Sequence, residues 1–107
     1  MKRILVIGGG AMGSAFTIPC LDNKNHVTIT EPYSKIFIKD HLSKNKFHSA
    51  LKIKLPKKLK FRKYSKDLLK EKFDLIVIAL SLSGIDFIGH QLKELKIKTP
   101  ILVLTKG

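Results

Sequence analysis

Six residues near the start of the chain, Gly8-Gly9-Gly10-Ala11-Met12-Gly13, carry the spacing G-x-G-x-x-G. That spacing suits a loop that wraps an anion. Gly8 permits a tight turn, Gly10 lets backbone approach a pyrophosphate, and Gly13 lets a following helix pack close to the preceding strand. The anion would rest on unpaired N–H groups at the positive end of that helix. The pattern alone is unspecific. It gains meaning because it follows an apolar, β-branched run at residues 2–7 and opens a helical stretch. Glu31 comes 18 residues after Gly13, at the end of a second short strand read over His26–Thr30. A carboxylate there accepts both ribose hydroxyls of an adenosine and repels a 2′-phosphate. A helix dipole would also favour it as a plain solvated carboxylate. No Arg stands beside Glu31, and Lys35 is the nearest cation on its C-terminal side. The expected cofactor is therefore NAD, with NADP disfavoured.

Other chemistries find little support. The lone Cys20 cannot form an internal disulfide, and His26, His41, His48 and His90 show no metal-ligand or triad spacing. They read as structural or surface histidines. Neither Ser14 nor Ser81 has an identifiable base, so nucleophilic catalysis is not expected. A single cysteine agrees with a reducing, cytoplasmic setting. The apolar run Ile4–Ile7 is too short for a signal peptide, and Leu75–Leu80 is far too short to cross a bilayer.

These residues need elements to hold them. Residues 2–7 read as a buried strand, and residues 11–24 as a helix with Met12, Ala15, Phe16 and Cys20 on one face. Pro19 should kink or end that helix near residues 17–19. His26–Thr30 is a second strand, and Pro32 suits the first turn of a helix to about Leu42. Residues 43–60 read as a long connection, with a short strand at Leu59–Phe61. Ser65 is a plausible N-cap for a helix through Lys72. Asp74–Leu80 is the strongest strand, apolar throughout as in the centre of a parallel sheet. Gly84–Leu95 is an amphipathic helix with Ile85, Ile88, Leu92 and Leu95 on one face. Pro100–Leu104 reads as a last buried strand. Strand and helix alternate, the signature of a doubly wound parallel α/β sheet with right-handed crossovers.

The chain has 107 residues, about 0.7 of a typical ~150-residue domain, which allows one modest core. Its formal charge is +13, and residues 35–72 contribute +11 of it. Such a balance invites a nucleic-acid reading. However, 19 of the 21 cations are Lys, whereas phosphate and base-edge readers favour the Arg fork. Phe61, within the basic strip at residues 57–64, is expected in the core. No specific nucleic-acid partner is expected, although positive charge would steer anionic ligands.

The glycine loop, Leu55-Pro56-Lys57-Lys58-Leu59, the Asp74–Leu80 strand and Thr105-Lys106-Gly107 together resemble the N-terminal domain of NAD(P)-dependent glycerol-3-phosphate dehydrogenases. The likeness spans essentially the whole chain. L-P-x-x-L combined with T-K-G is its narrow part. It implies a Rossmann-type sheet in a single domain, residues 1–107. It also implies interconversion of dihydroxyacetone phosphate and glycerol 3-phosphate, with a triose phosphate as partner. By the same likeness Gly8, Gly10 and Gly13 form the pyrophosphate turn, Ala11 and Met12 touch the cofactor, and Lys106 reaches both the nicotinamide end and the substrate. The family's A-V-P-S-Q segment is here Ala79-Leu80-Ser81-Leu82-Ser83, without its Pro and Gln. The principal catalytic lysine belongs to a C-terminal helical domain that this sequence does not contain. The chain alone is therefore expected to bind dinucleotide and turn over little, with oligomers open to the longer protein. The alternatives are a ketopantoate reductase or 6-phosphogluconate dehydrogenase type of domain, or a nucleotide-binding module without chemistry.

Overall fold

The computed structural model describes residues 1–105. Along the chain run β1 (Arg3–Ile7), α1 (Ala11–Asp22), β2 (His26–Thr30), α2 (Lys35–Leu42), β3 (Phe47–His48) and β4 (Ile53–Lys54). These are followed by β5 (Lys60–Phe61), α3 (Lys66–Lys70), β6 (Leu75–Ile78), α4 (Leu82–Glu94) and β7 (Ile101–Val103). Five parallel strands make one sheet in the order β5-β2-β1-β6-β7. The chain builds outward from β1 through β2 to β5, then crosses to the other side of β1 to add β6 and β7. That reversal beside β1 is the topological switch point where doubly wound sheets bind ligands.

Alternation along the central strands sorts two cores. Leu5 and Ile7 of β1, with Ile76 and Ile78 of β6, face Leu68 and Leu69 of α3 and Ile88 and Leu92 of α4. Ile4 and Val6, with Val77, face the other way, toward Val27, Ile29 and the α1 side chains Phe16, Cys20 and Leu21. Both faces of β1 and β6 are thus covered, as their unbroken apolar runs require. Leu55 and Leu59 are buried on either side of a turn in which Leu59 N–H donates to the Pro56 carbonyl at 3.1 Å. The L-P-x-x-L sequence is therefore two apolar plugs joined by a proline turn that delivers the chain to β5.

Several local expectations are corrected. α1 runs unbroken through Pro19 to Asp22. The proline ring is exposed, and Ala15, whose carbonyl loses its partner, is exposed as well, so water can satisfy it. The buried stripe of α1 is Gly13, Ser14 and Thr17 rather than Met12 and Ala15, because only small side chains fit so close to the sheet. α2 begins after Ser34, whose hydroxyl accepts from Phe37 N–H at 3.2 Å, so Pro32 lies outside it. Residues 43–60 contain the antiparallel β3–β4 hairpin. α3 is capped by Ser65, as expected, but stops at Lys70, and α4 starts at Leu82. β7 is an exposed edge strand, with Ile101, Leu102 and Val103 each about two-fifths exposed.

Candidate functional site

A cavity of about 680 Å³ opens beyond the carboxyl ends of the central strands. Gly10, Ala11 and Met12 line it from the loop after β1, Glu31 from the end of β2, and Ala79 and Leu80 from the end of β6. Thr105, just past β7, lines it too. Four strand ends converge on one hollow.

The glycine loop is held by backbone approach. Gly8 has φ +126°, and a Cβ on it would lie 2.2 Å from the Ala79 carbonyl oxygen. A Cβ on Gly13 would lie 2.1 Å from the Gly8 carbonyl oxygen. Backbone at the end of β1, the start of α1 and the end of β6 therefore meets in a space without room for a methyl group. Gly10 is extended (φ −74°, ψ −168°), and a Cβ there would meet the edge of the Phe37 ring at 3.1 Å. The first turn of α1 carries no acidic residue and no side-chain cap. Its leading N–H groups have no intrahelical acceptor and keep their positive end for an anion. A cradle of this form fits a dinucleotide pyrophosphate.

Glu31 is buried, with only 5% of its surface exposed. One carboxylate oxygen accepts from Gly9 N–H at 2.7 Å; the other accepts from Tyr33 N–H at 2.8 Å and Ser34 N–H at 3.0 Å. A carboxylate offers about four acceptor positions, so three are spent on the protein and about one remains for the cavity. The tie to Gly9 is a finding that the sequence did not announce. Burial raises the pKa of the Tyr33 hydroxyl at the rim, and the neighbouring Glu31 charge raises it further.

Gly10, Ala11, Met12 and Glu31 line the cavity, Gly8 and Gly13 lie behind it in close backbone contact with Ala79 and with each other, and Lys106 lies outside the described residues. Ser14, expected to have no base, has His41 Nε2 3.1 Å from its hydroxyl oxygen. That pair has no reach into the cavity, because Ser14 is fully buried and both groups aim at the Gly9 carbonyl. His26 and His90 are exposed. His41 and His48 are buried and pack beneath the glycine loop. Among the described residues no group of His, Cys, Asp and Glu is arranged to hold a metal ion. Phe61 is half-buried and stacks on His41 with ring centroids 5.5 Å apart, so it belongs to the core rather than to a base-stacking strip. No helix among the described residues is long and apolar enough to cross a membrane.

A family model described as the NAD-dependent glycerol-3-phosphate dehydrogenase N-terminus matches residues 3–107. No curated protein matches the chain. Among solved structures, it is similar to D-mandelate dehydrogenase with NADH, at 21% identity and a TM-score of 0.67 over 98% of this chain and 31% of that one. The ternary structure of D-mandelate dehydrogenase with NADH and anilino(oxo)acetate gives 21% identity and 0.68, over 98% of this chain and 34% of that one. A putative 2-dehydropantoate 2-reductase from Enterococcus faecalis gives 22% and 0.66, over 100% and 34%. The chain spans about a third of the length of these proteins. At such identities the likeness speaks for the fold.

Proposed function

This chain belongs to the family of NAD-dependent glycerol-3-phosphate dehydrogenase N-terminal domains, and we propose that its glycine-loop cavity binds NAD for a dehydrogenase acting on a triose phosphate. The observation that carries the reading is the convergence of a close-packed glycine cradle, an open helix end and a positioned carboxylate on one cavity at the switch point. The N–H groups of Gly10, Ala11 and Met12 would take the pyrophosphate. The remaining acceptor position on Glu31 would take one ribose hydroxyl, and its charge would repel a 2′-phosphate. Leu80 and Ala79 would wall the cavity against water. A bound nicotinamide supplies hydride transfer between cofactor and ketone.

Lys106 directly follows Thr105, which lines the cavity. In this reading its ammonium draws the substrate phosphate or polarises the ketone. The reduction of dihydroxyacetone phosphate to glycerol 3-phosphate then depends on a second domain, and the chain alone binds without appreciable turnover. Fold likeness to a 2-dehydropantoate 2-reductase favours a second reading, a reductase of that type. The L-P-x-x-L turn and the Thr105-Lys106-Gly107 ending favour the first.

Titration with NADH and NADPH, followed by fluorescence, tests the cofactor. Wild type is expected to bind NADH and to prefer it over NADPH. Gly10→Val should abolish binding, since its branched side chain fills the approach already narrowed by Phe37. Equal binding by the variant, or no binding at millimolar NADH, would sink the reading.

A further inference from the structure

We propose that His48 and His41, together with Ser14, are positioning residues for the dinucleotide: they grip the Gly9 carbonyl from below and so fix the direction of the Gly10 N–H. The inference rests on the dinucleotide reading above. Three donors from three elements converge on this one oxygen. His48 Nε2, at the end of β3, lies 2.8 Å away; His41 Nε2, in α2, 3.1 Å; and Ser14 Oγ, in α1, 3.0 Å. A carbonyl oxygen has two lone pairs, so three donors on it are more than backbone satisfaction requires. Structural need alone does not explain the third.

The consequence follows from peptide planarity. The Gly9–Gly10 bond is trans, so the Gly10 N–H points opposite to the Gly9 carbonyl. Pulling that carbonyl toward the histidines turns the Gly10 N–H away from them, and Gly10 lines the cavity. At its other end the Gly9 N–H is held by Glu31 at 2.7 Å. Both sides of the Gly9 residue are therefore fixed before any ligand arrives. Preorganised N–H groups lose less on binding than a mobile triglycine would.

His48 Nδ1 accepts from Leu51 N–H at 3.1 Å, so its single proton must sit on Nε2, facing Gly9. Phe37 stacks on that ring at 5.3 Å, and His41 meets it edge-on at 5.9 Å. The charged and titratable groups facing His41 are Asp40 on its own helix, Glu31 from β2 and His48 from the hairpin. Burial lowers the His41 pKa, and the Gly9 bond and the two carboxylates only partly oppose it. Asp40 in turn holds the hairpin through Ser49, accepting from its N–H at 2.9 Å and its hydroxyl at 2.7 Å. A proton on His48 Nδ1 would break the Leu51 bond.

The test uses the full 107-residue chain and NADH at about pH 7.5. His48→Leu should weaken NADH about tenfold, the effect of one buried donor lost. His48→Gln keeps an uncharged N–H donor and should recover most of that loss. Nitrogen-15 spectra of the ligand-free rings should place the His48 proton on Nε2. Circular dichroism on each variant confirms that it is folded. NADH binding by His48→Leu equal to wild type, or a proton on Nδ1, overturns the proposal. No NADH binding by wild type overturns the dinucleotide reading instead, and the ligand-free spectra tell the two failures apart.

Discussion

Two glycine-to-alanine substitutions, each inside a helix, should change stability in opposite directions. In an unhindered helix the change gains roughly 1 kcal/mol, because alanine has less backbone freedom to lose. Gly89, in α4, is exposed and a Cβ there meets nothing within 4 Å. Gly89→Ala should therefore stabilise by about 0.5–1 kcal/mol. Gly13, in α1, would carry its Cβ 2.1 Å from the Gly8 carbonyl oxygen, about 1 Å short of any tolerable contact. That obstacle is backbone, with Ala79 Cβ behind it at 3.2 Å, so no side chain can swing aside. Relief needs α1 to lift from the sheet or the Gly8 peptide to turn, and Gly8 is itself wedged against the Ala79 carbonyl. Overpacking of this sort costs about 3 kcal/mol. Subtracting the helix gain leaves a net loss of about 2 kcal/mol. With an m-value of about 1.5 kcal/mol/M, the urea midpoint should fall by more than 1 M for Gly13→Ala and rise by about 0.5 M for Gly89→Ala. NADH affinity should weaken in the first variant alone. If Gly13→Ala proves as stable as wild type, the contact between α1 and the β1 turn is not what holds the loop.

Three further substitutions test separate parts of the argument. Glu31→Gln turns one acceptor oxygen into an NH₂ group facing backbone N–H, and should cost about 2 kcal/mol in urea unfolding while narrowing the NADH/NADPH affinity ratio; an unchanged ratio removes Glu31 from cofactor selection. His41 has a folded-state pKa below its ordinary value, so the unfolded chain binds the extra proton first. Its contribution is present above about pH 6.5 and is lost as pH falls from there toward the depressed value, by at most about 1.4 kcal/mol per pH unit; thermal melts of wild type and His41→Gln across pH 7.5 to about 5 should converge if this is right. Lys96 sits at φ 54° just past α4, and Lys96→Gly should raise stability by about 1 kcal/mol in urea unfolding.

What the sequence made legible was local. β6 and the buried face of α4 follow from apolar runs and spacing within a dozen residues, and the glycine loop from its own spacing. The edge position of β7 was not legible, because composition shows an apolar strand but not whether a neighbour lies on its far side. The β3–β4 hairpin has two residues per strand, too few to display alternation. The histidine grip escaped for a related reason: Gly9, His41 and His48 are 32 and 39 residues apart, and nothing local links them. The one faint signal was Phe37 and His41 at i, i+4, which puts two flat rings on one face of α2. Pro19 misled because the cost of an internal proline, a lost N–H and a crowded carbonyl, falls here on a face of α1 where both Ala15 and Pro19 are exposed.

The lysine excess can be judged by where lysines stand rather than by how many there are. Among the described residues, the four non-glycine residues with positive φ are Lys24, Lys46, Lys52 and Lys96. Lys24 and Lys96 occupy the left-handed position that ends a helix. Lys96 N–H donates to the Lys93 carbonyl and Ile97 N–H to that of Leu92, both at 3.0 Å; Lys24 and Asn25 repeat the arrangement on Leu21 and Cys20. Glycine or asparagine is the ordinary occupant there, and lysine gains nothing from the conformation. A charge selected to meet a polyanion would cluster on one surface and prefer Arg. Lysine in strained caps instead marks a compositional preference that fills any solvated position, even at some loss of stability. The charge at the helix ends thus needs no ligand to explain it, whereas the uncharged, tightly gripped glycine loop does.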